Sequence, residues 1–391
     1  MDKVLPAAAW TRRQDLAQLV SALGADNIRW VGGAVRDTLL GSDVSDVDAA
    51  TPLLPAAVMD QLKEAGIRCI PTGIDHGTVT GVLDGGPVEI TTLRKDVATD
   101  GRRATVAFAS DWRDDAARRD FTINALYANP ETGEISDFFG GLEDLSNRHV
   151  RFIGEAGERI REDHLRILRY FRFQARFGAE LDQEAISACR ELAGTLTALS
   201  RERVAKELLL LLALPDPADT AELMVSLGVW KVIVPETGPR DLQRLRDLIA
   251  AEAGADIAPH PIRRLAALLP ALPAIADEVG VRLRLSRAER ARLVCAAERQ
   301  TSDAADPKAL AYYQGTQGAL DRLLLAGADI SAIRDWTPPQ LPMKGGEIVT
   351  HGVGAGPEVA RILKQVEAQW VAEAFPDRDR VEQILDAILA Q

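Results

Sequence analysis

The chain changes its hydrophobic rhythm once, near Gly154, and that change restricts the fold more than any other feature. Before it, short β-like runs at Ile28 to Val31, Val79 to Leu83 and Val88 to Leu93 alternate with Gly and Asp turns and helical segments. After it, the pattern is helical almost throughout, broken by proline-bearing turns at Leu214-Pro215-Asp216-Pro217 and Pro259-His260-Pro261. An α+β chain is expected, with an α/β head and an all-helical remainder. At 391 residues it exceeds one typical core, so several domains are expected.

The sharpest local signal is Trp30-Val-Gly-Gly-Ala-Val-Arg36-Asp37, followed by Asp46-Val47-Asp48. A strand running into two glycines and then a helix brings backbone N–H groups close to a ligand, so Gly32 and Gly33 suit a triphosphate. The spacing matches neither of the common glycine-rich phosphate loops. On a strand, positions i and i+2 share a face, so Asp46 and Asp48 present two carboxylates with Val47 turned inward. Adjacent carboxylates repel unless a divalent cation lies between them, and Mg2+ prefers a few carboxylates completed by substrate phosphates.

Two further blocks carry charge in a pattern. In Arg118-Arg119-Asp120-Phe121-Thr122-Ile123-Asn124-Ala125-Leu126, a helix start points Arg119 and Asp120 at a cleft, with Phe121, Ile123 and Leu126 as apolar anchors. In Arg161-Glu162-Asp163-His164-Leu165-Arg166-Ile167-Leu168-Arg169-Tyr170-Phe171-Arg172, Asp163, Arg166 and Arg169 recur at i, i+3 and i+6 on one helix face. Aspartate accepts and arginine donates, so such a pair can read the edge of a base, with Glu162 holding the Arg166 guanidinium. Taken singly, the blocks are also a solvated turn, an ordinary helix start and a helix laced with ion pairs.

Composition narrows the class. With 47% hydrophobic and 27% charged residues the chain reads as globular, and no run approaches the ~18 apolar residues of a membrane span. The start, MDKVLPAAAWTRRQ, lacks the apolar region of a secretory signal, so a cytoplasmic protein without membrane association is expected. Cys69, Cys189 and Cys295 are too few and too scattered for a disulfide framework or a zinc cage. The net charge of −12 argues against a polyanionic partner, yet residues 148–176 hold eight arginines against four acidic residues, a local basic surface for nucleic acid.

Together with Thr72-Gly73-Ile74-Asp75-His76-Gly77-Thr78, Glu89-Ile90-Thr91-Thr92-Leu93-Arg94 and Glu202-Arg203-Val204-Ala205-Lys206-Glu207-Leu208, these blocks resemble the class II tRNA nucleotidyltransferases. That family comprises CCA-adding enzymes and bacterial poly(A) polymerases of the polymerase-β superfamily, and the resemblance covers about residues 26 to 210. It implies a polymerase-β-like head of mixed sheet and helices over 1–145, a helical neck that recognises the base over 146–213, and a helical body and tail that bind tRNA over 214–391. It assigns Asp46 and Asp48 to Mg2+ and catalysis, and Gly33, Arg36 and Arg119 to the incoming nucleotide, with Gly32 and Asp120 beside them. Asp163 and Arg166 would read CTP and ATP, with Arg169 and Arg172 nearby, and Glu89 is a candidate further carboxylate. The stretch from Arg94 to Arg103 is similar to a mobile loop of full CCA-adding members, which favours both C and A addition. The substrates implied are the tRNA 3′ end, CTP and ATP, and no protein partner is indicated. A poly(A) polymerase or A-adding member is the alternative activity, and an RNA-binding protein without catalysis the alternative class. The helical body offers only Lys344 and the glycine-rich turns of 345–356, as a phosphate contact or as plain turns.

Overall fold

The computed structural model describes residues 3–100 and 103–390; for residues 75, 96–100 and 103–106 it describes the backbone alone. The chain forms two compact units, Met1–Pro235 and Glu236–Gln391.

In the first unit the strands, in chain order, are β1 (Arg29–Val31), β2 (Val47–Thr51), β3 (Cys69–Gly73), β4 (Thr78–Leu83), β5 (Gly86–Thr92), β6 (Arg94–Asp100), β7 (Arg103–Phe108), β8 (Leu126–Ala128) and β9 (Ile135–Asp137). Seven of them form one mixed sheet in the order β3-β4-β5-β2-β1-β8-β9, while β6 and β7 pair as a separate ladder. The expected β-like runs are thus β1, β4 and β5. The central strand β2 is parallel to β5 and antiparallel to β1. Its Val47, Ala49, Ala50 and Thr51 are buried, so only Asp48 emerges from the covered sheet. Helices close around the sheet by the usual rule: in Gln14–Leu23, Leu16, Leu19, Val20 and Leu23 recur at helical spacing and all are buried.

The backbone of β6 pairs with β7 from Arg94 opposite Phe108 to Asp100 opposite Arg103. The expectation of a mobile segment rested on Gly101 and the charges around it. Gly101, Arg102 and the side chains from Asp96 to Val106 lie outside the described residues.

The helices that follow the sheet belong to the same unit, among them Ala156–Glu162, Arg166–Phe177 and Arg201–Leu212. An aromatic cluster ties them to the sheet. Phe121, in the segment leading to β8, lies 4.8 Å from Phe152 and 5.2 Å from Phe173, ring centre to ring centre. Such pairs contribute about 0.5–1.5 kcal/mol each beyond their burial. The segment carrying Arg119 and Asp120 is therefore fixed against the helix carrying Arg169 and Arg172.

The second unit is built of helices from Pro239–Gly254 to Arg378–Leu389. Its C-terminal core gathers Met343, Ile348, Ile362, Val366, Trp370, Val381, Ile384 and Leu385. Ahead of it lies a buried ion network. Asp321, wholly buried, receives Arg292 through Nε at 2.6 Å and Nη2 at 2.9 Å, and Arg263 Nη1 at 3.3 Å. Glu252 receives Arg263 Nε at 2.7 Å and Arg264 Nε at 2.8 Å. Among the glycine-rich turns, the Gly345–Thr350 helix has its first amide end closed by the Glu347 carboxylate, which accepts from Lys344 N at 2.8 Å. Pro357 opens the Pro357–Ala372 helix. Among the described residues no helix is long and apolar enough to cross a membrane.

Candidate active site

β1 ends at Val31 and the chain turns at Gly32, whose φ of +70° favours glycine. A Cβ there would lie 3.7 Å from both Arg119 Nη1 and the Asn124 carbonyl, so the turn and the Arg119 head group share one confined space. The Gly33–Leu39 helix starts directly beyond, with its first amides aimed out of the turn. Arg36, on that helix, is buried. Its Nε donates to Asp37 at 2.8 Å and its Nη1 to Asn124 Oδ1 at 2.5 Å, and its guanidinium lies over the rings of Phe173 and Phe177.

The register of the sheet gathers the carboxylates. Asp48 sits opposite Val31 on β1 and opposite Glu89 on β5, while Asp46 immediately precedes β2 and is exposed. Val47 between them is buried, as alternation requires. Burial pushes the Asp48 carboxyl up to about 6, and repulsion from Glu89 and Asp46 adds to the shift against the pull of Arg119. A cation placed here relieves three negative charges at once. Among the described residues no group of three or more His, Cys, Asp or Glu side chains is placed to hold a metal ion, and Mg2+ is commonly held by one or two carboxylates with waters and substrate phosphates.

The segment after the Trp112–Ala117 helix does not begin an α-helix as expected. It makes a single 3-10 turn over Thr122–Asn124 and enters β8. Phe121, Ile123 and Leu126 are buried as expected, because that turn points them into the core behind the cleft. Arg119 is held from two sides, donating through Nε to Tyr127 Oη at 2.9 Å and through Nη2 to Asp115 at 3.1 Å. The wholly buried Asp115 also takes Tyr127 Oη at 2.7 Å and Arg118 Nε at 2.8 Å. Asp120 accepts from Phe121 N and Asn124 Nδ2, both at 2.9 Å, and from Arg169 Nε at 2.7 Å. Burial alone would raise its pKa, but Arg169 and these hydrogen bonds hold it at about 2.

The expected single helix over Arg161 to Arg172 is two. Ala156–Glu162 ends at Asp163, whose backbone is extended, and Arg166–Phe177 begins three residues later. Asp163 and Arg166 therefore do not share one helical face. The Asp163 carboxylate accepts from Leu165 N at 3.1 Å and from Arg203 Nη2 at 2.6 Å, in a recess also lined by His164, Leu199 and Ser200. Arg166 donates through Nη1 to Glu162 at 2.5 Å and to the Arg159 carbonyl at 2.8 Å, so Glu162 does hold it. Arg169 and Arg172 converge on Glu207, at 3.4 and 2.6 Å.

One cleft is lined by Gly32, Gly33, Arg36, Asp46, Asp48, Arg119, Asp120, Arg169 and Arg172, which the sequence had singled out from segments far apart in the chain. Asp163 and Arg166 are not among its lining residues. Asn124, Arg176, Lys206 and Glu207 are, and sequence reasoning gave them no role. The motif 202–208 contained Lys206 and Glu207, and their i and i+4 relation to Arg203 and Leu210 on a helix was the available signal. The arginines expected to make a basic surface over residues 148–176 are largely matched by carboxylates. Seven of its eight arginines are ion-paired, through Asp144, Glu162, Glu191, Asp120, Glu207 and Asp37.

Residues 28–151 match the Poly A polymerase head domain, and residues 178–239 match the probable RNA and SrmB- binding site of polymerase A. The chain is 36% identical to the mitochondrial CCA tRNA nucleotidyltransferase 1 of Danio rerio, over 88% of this chain and 83% of that protein. It is 31% identical to the CCA-adding enzyme of Levilactobacillus brevis, over 89% of this chain and 90% of that one. The crystal structure of the Bacillus stearothermophilus CCA-adding enzyme in complex with CTP superposes with a TM-score of 0.76 at 26% identity, covering 96% of this chain and 98% of that chain.

Proposed function

The chain belongs to the CCA tRNA nucleotidyltransferase family, and on that premise we infer that it adds C, C and A to the 3′ end of tRNA, taking CTP and ATP and releasing pyrophosphate. The observation that carries this is that Asp46 and Asp48 line the same cleft as the Gly32–Gly33 turn and Arg119. The family uses a divalent metal, and Mg2+ suits two carboxylates that rely on substrate phosphates to complete the shell. Such an ion would be held by Asp46 and Asp48 and would supply charge neutralisation for the triphosphate and a lowered pKa for the attacking 3′-hydroxyl. Glu89 would be a further carboxylate close by, through its register opposite Asp48.

The amides beyond Gly32 and the guanidinium of Arg119 receive the phosphates. Asp115 and Tyr127 keep that guanidinium oriented before a nucleotide arrives, so little entropy is lost on binding. Arg36 acts behind this surface, bracing the glycine turn through Asn124, and Asp120 acts through Arg169. Residues 1–145 serve as the head, 146–213 as the neck and 214–391 as the body and tail that take the tRNA. The site of action we propose is the cytoplasm.

Base selection falls to Asp163 and Arg166, each held by a neighbour, Arg203 and Glu162 respectively. Asp163→Ala is expected to narrow the preference for CTP and ATP over UTP and GTP by about tenfold or more, since a site built on hydrogen bonds discriminates through them. Single-nucleotide kcat/KM values check this, and an unchanged preference leaves Asp163 as an ion-pair partner of Arg203 alone.

The test of the whole reading is incubation with Mg2+ and a tRNA transcript lacking CCA, supplied with CTP, ATP or both. Addition of C-C-A and a stop is the expected product. A long A tail would make the chain a poly(A) polymerase, the second activity that the matched head domain allows.

A further inference from the structure

The cleft has six cationic side chains, and five already have a carboxylate partner. Arg36 and Arg176 bind Asp37, Arg119 binds Asp115, Arg169 binds Asp120 and Glu207, and Arg172 binds Glu207. Lys206 is the sixth. It is exposed, lines the same cleft, and has no hydrogen bond or ion pair among the described residues. It stands on the Arg201–Leu212 helix, one turn before Leu210, which lines the cleft as well and is 43% exposed. Positions i and i+4 face the same way, so an unpaired ammonium and an exposed apolar surface sit side by side in a cleft lined mainly by polar and charged residues.

An ammonium beside an apolar side chain matches one repeat of single-stranded RNA, a phosphate followed by a base face. It matches a triphosphate less well, because three linked phosphates have no use for Leu210 and already meet the glycine turn and Arg119. Glu207, between the two on the helix, is turned inward and saturated by Arg169 and Arg172, so it does not cancel the lysine. We propose that Lys206 and Leu210 seat the growing RNA end, Lys206 holding the phosphodiester next to the terminal nucleotide and Leu210 supporting the terminal base. Both are positioning residues for the 3′-hydroxyl that Asp46 and Asp48 serve, and the assignment rests on the nucleotidyl-transfer reading given above.

The test measures equilibrium binding of a tRNA transcript ending in C-C at several KCl concentrations, together with separate KM values for that tRNA and for ATP. Lys206→Ala is expected to weaken tRNA binding about tenfold and to lower the slope of log affinity against log salt by about 0.7, the share of one single-strand phosphate. KM for ATP stays as in the wild type, and Lys206→Arg restores binding. Leu210→Ala weakens binding without altering the slope. A raised KM for ATP with unchanged tRNA binding would move Lys206 to the triphosphate and overturn the proposal, as would no change in either quantity. Extension of the tRNA by the wild-type protein tests the underlying reading, so its failure is seen apart from that of the Lys206 seat.

Discussion

Asp46→Ala or Asp48→Ala is expected to abolish incorporation of C and A alike, with kcat/KM falling by at least about 10³-fold for both nucleotides. The magnitude follows from the several kcal/mol that a clamped metal contributes to a phosphoryl transition state, at 1.36 kcal/mol for each factor of ten. The loss must be common to both nucleotides because the carboxylates serve the attacking hydroxyl and the phosphates, which C and A addition share. Single-turnover extension of a transcript lacking CCA checks it, and near-normal turnover by either variant would remove the pair from the chemistry.

The same site makes a second, opposite expectation for stability. The Asp48 carboxyl is raised to about 6 from an ordinary value of 3.8 by burial and by Glu89 and Asp46. A raised acid favours the protonated form in the folded protein, so without metal the fold loses stability as pH rises from about 4 through 6, by about 2–3 kcal/mol in all. Asp48→Asn removes the charge and keeps the shape. It is expected to raise the thermal midpoint of the metal-free protein at pH 7 while leaving it inactive, the usual bargain of a functional site.

The largest expected effect on stability lies in the second unit. Asp321→Ala leaves Arg263, 1% exposed, and Arg292 without the carboxylate between them. Removing one member of a buried charge network costs about 3–5 kcal/mol, because Arg292 loses its carboxylate and Arg263 keeps only Glu252. Urea unfolding followed by the fluorescence of Trp336 and Trp370 should show the second unit melting earlier. CTP affinity should remain, since Asp321 and its partners all belong to the unit 236–391. An unshifted midpoint would mean that the network is open to water.

The strand, glycine turn and alternating aspartates at 30–48 were legible because each depends on its immediate neighbours. Glycine is needed where φ is positive, and alternation along a strand fixes which of Asp46, Val47 and Asp48 turns inward. The break at Asp163 was not legible. The segment from Arg161 to Arg172 contains neither Pro nor Gly and keeps helical periodicity across the break. What ends the first helix is an extended aspartate whose carboxylate finds Leu165 N and, 40 residues away, Arg203. Nor could spacing show that Glu207 would join Arg169 to Arg172 across more than 30 residues. Such pairs are made by the packing of distant segments, and a charge in the sequence does not name its partner.

The pairing of the cleft arginines also governs how an RNA arrives. Long-range attraction responds to net charge over about a Debye length, and a guanidinium with a carboxylate 3 Å away is nearly neutral at that range. The cleft therefore draws tRNA in hardly at all from a distance. Its contribution to encounter is that of an unsteered surface, in the range of about 10⁵–10⁷ M⁻¹ s⁻¹. Polyanions of the wrong shape gain nothing by approaching it, and the sorting of RNAs is deferred to the moment of contact, where residence time rather than arrival decides which end is extended.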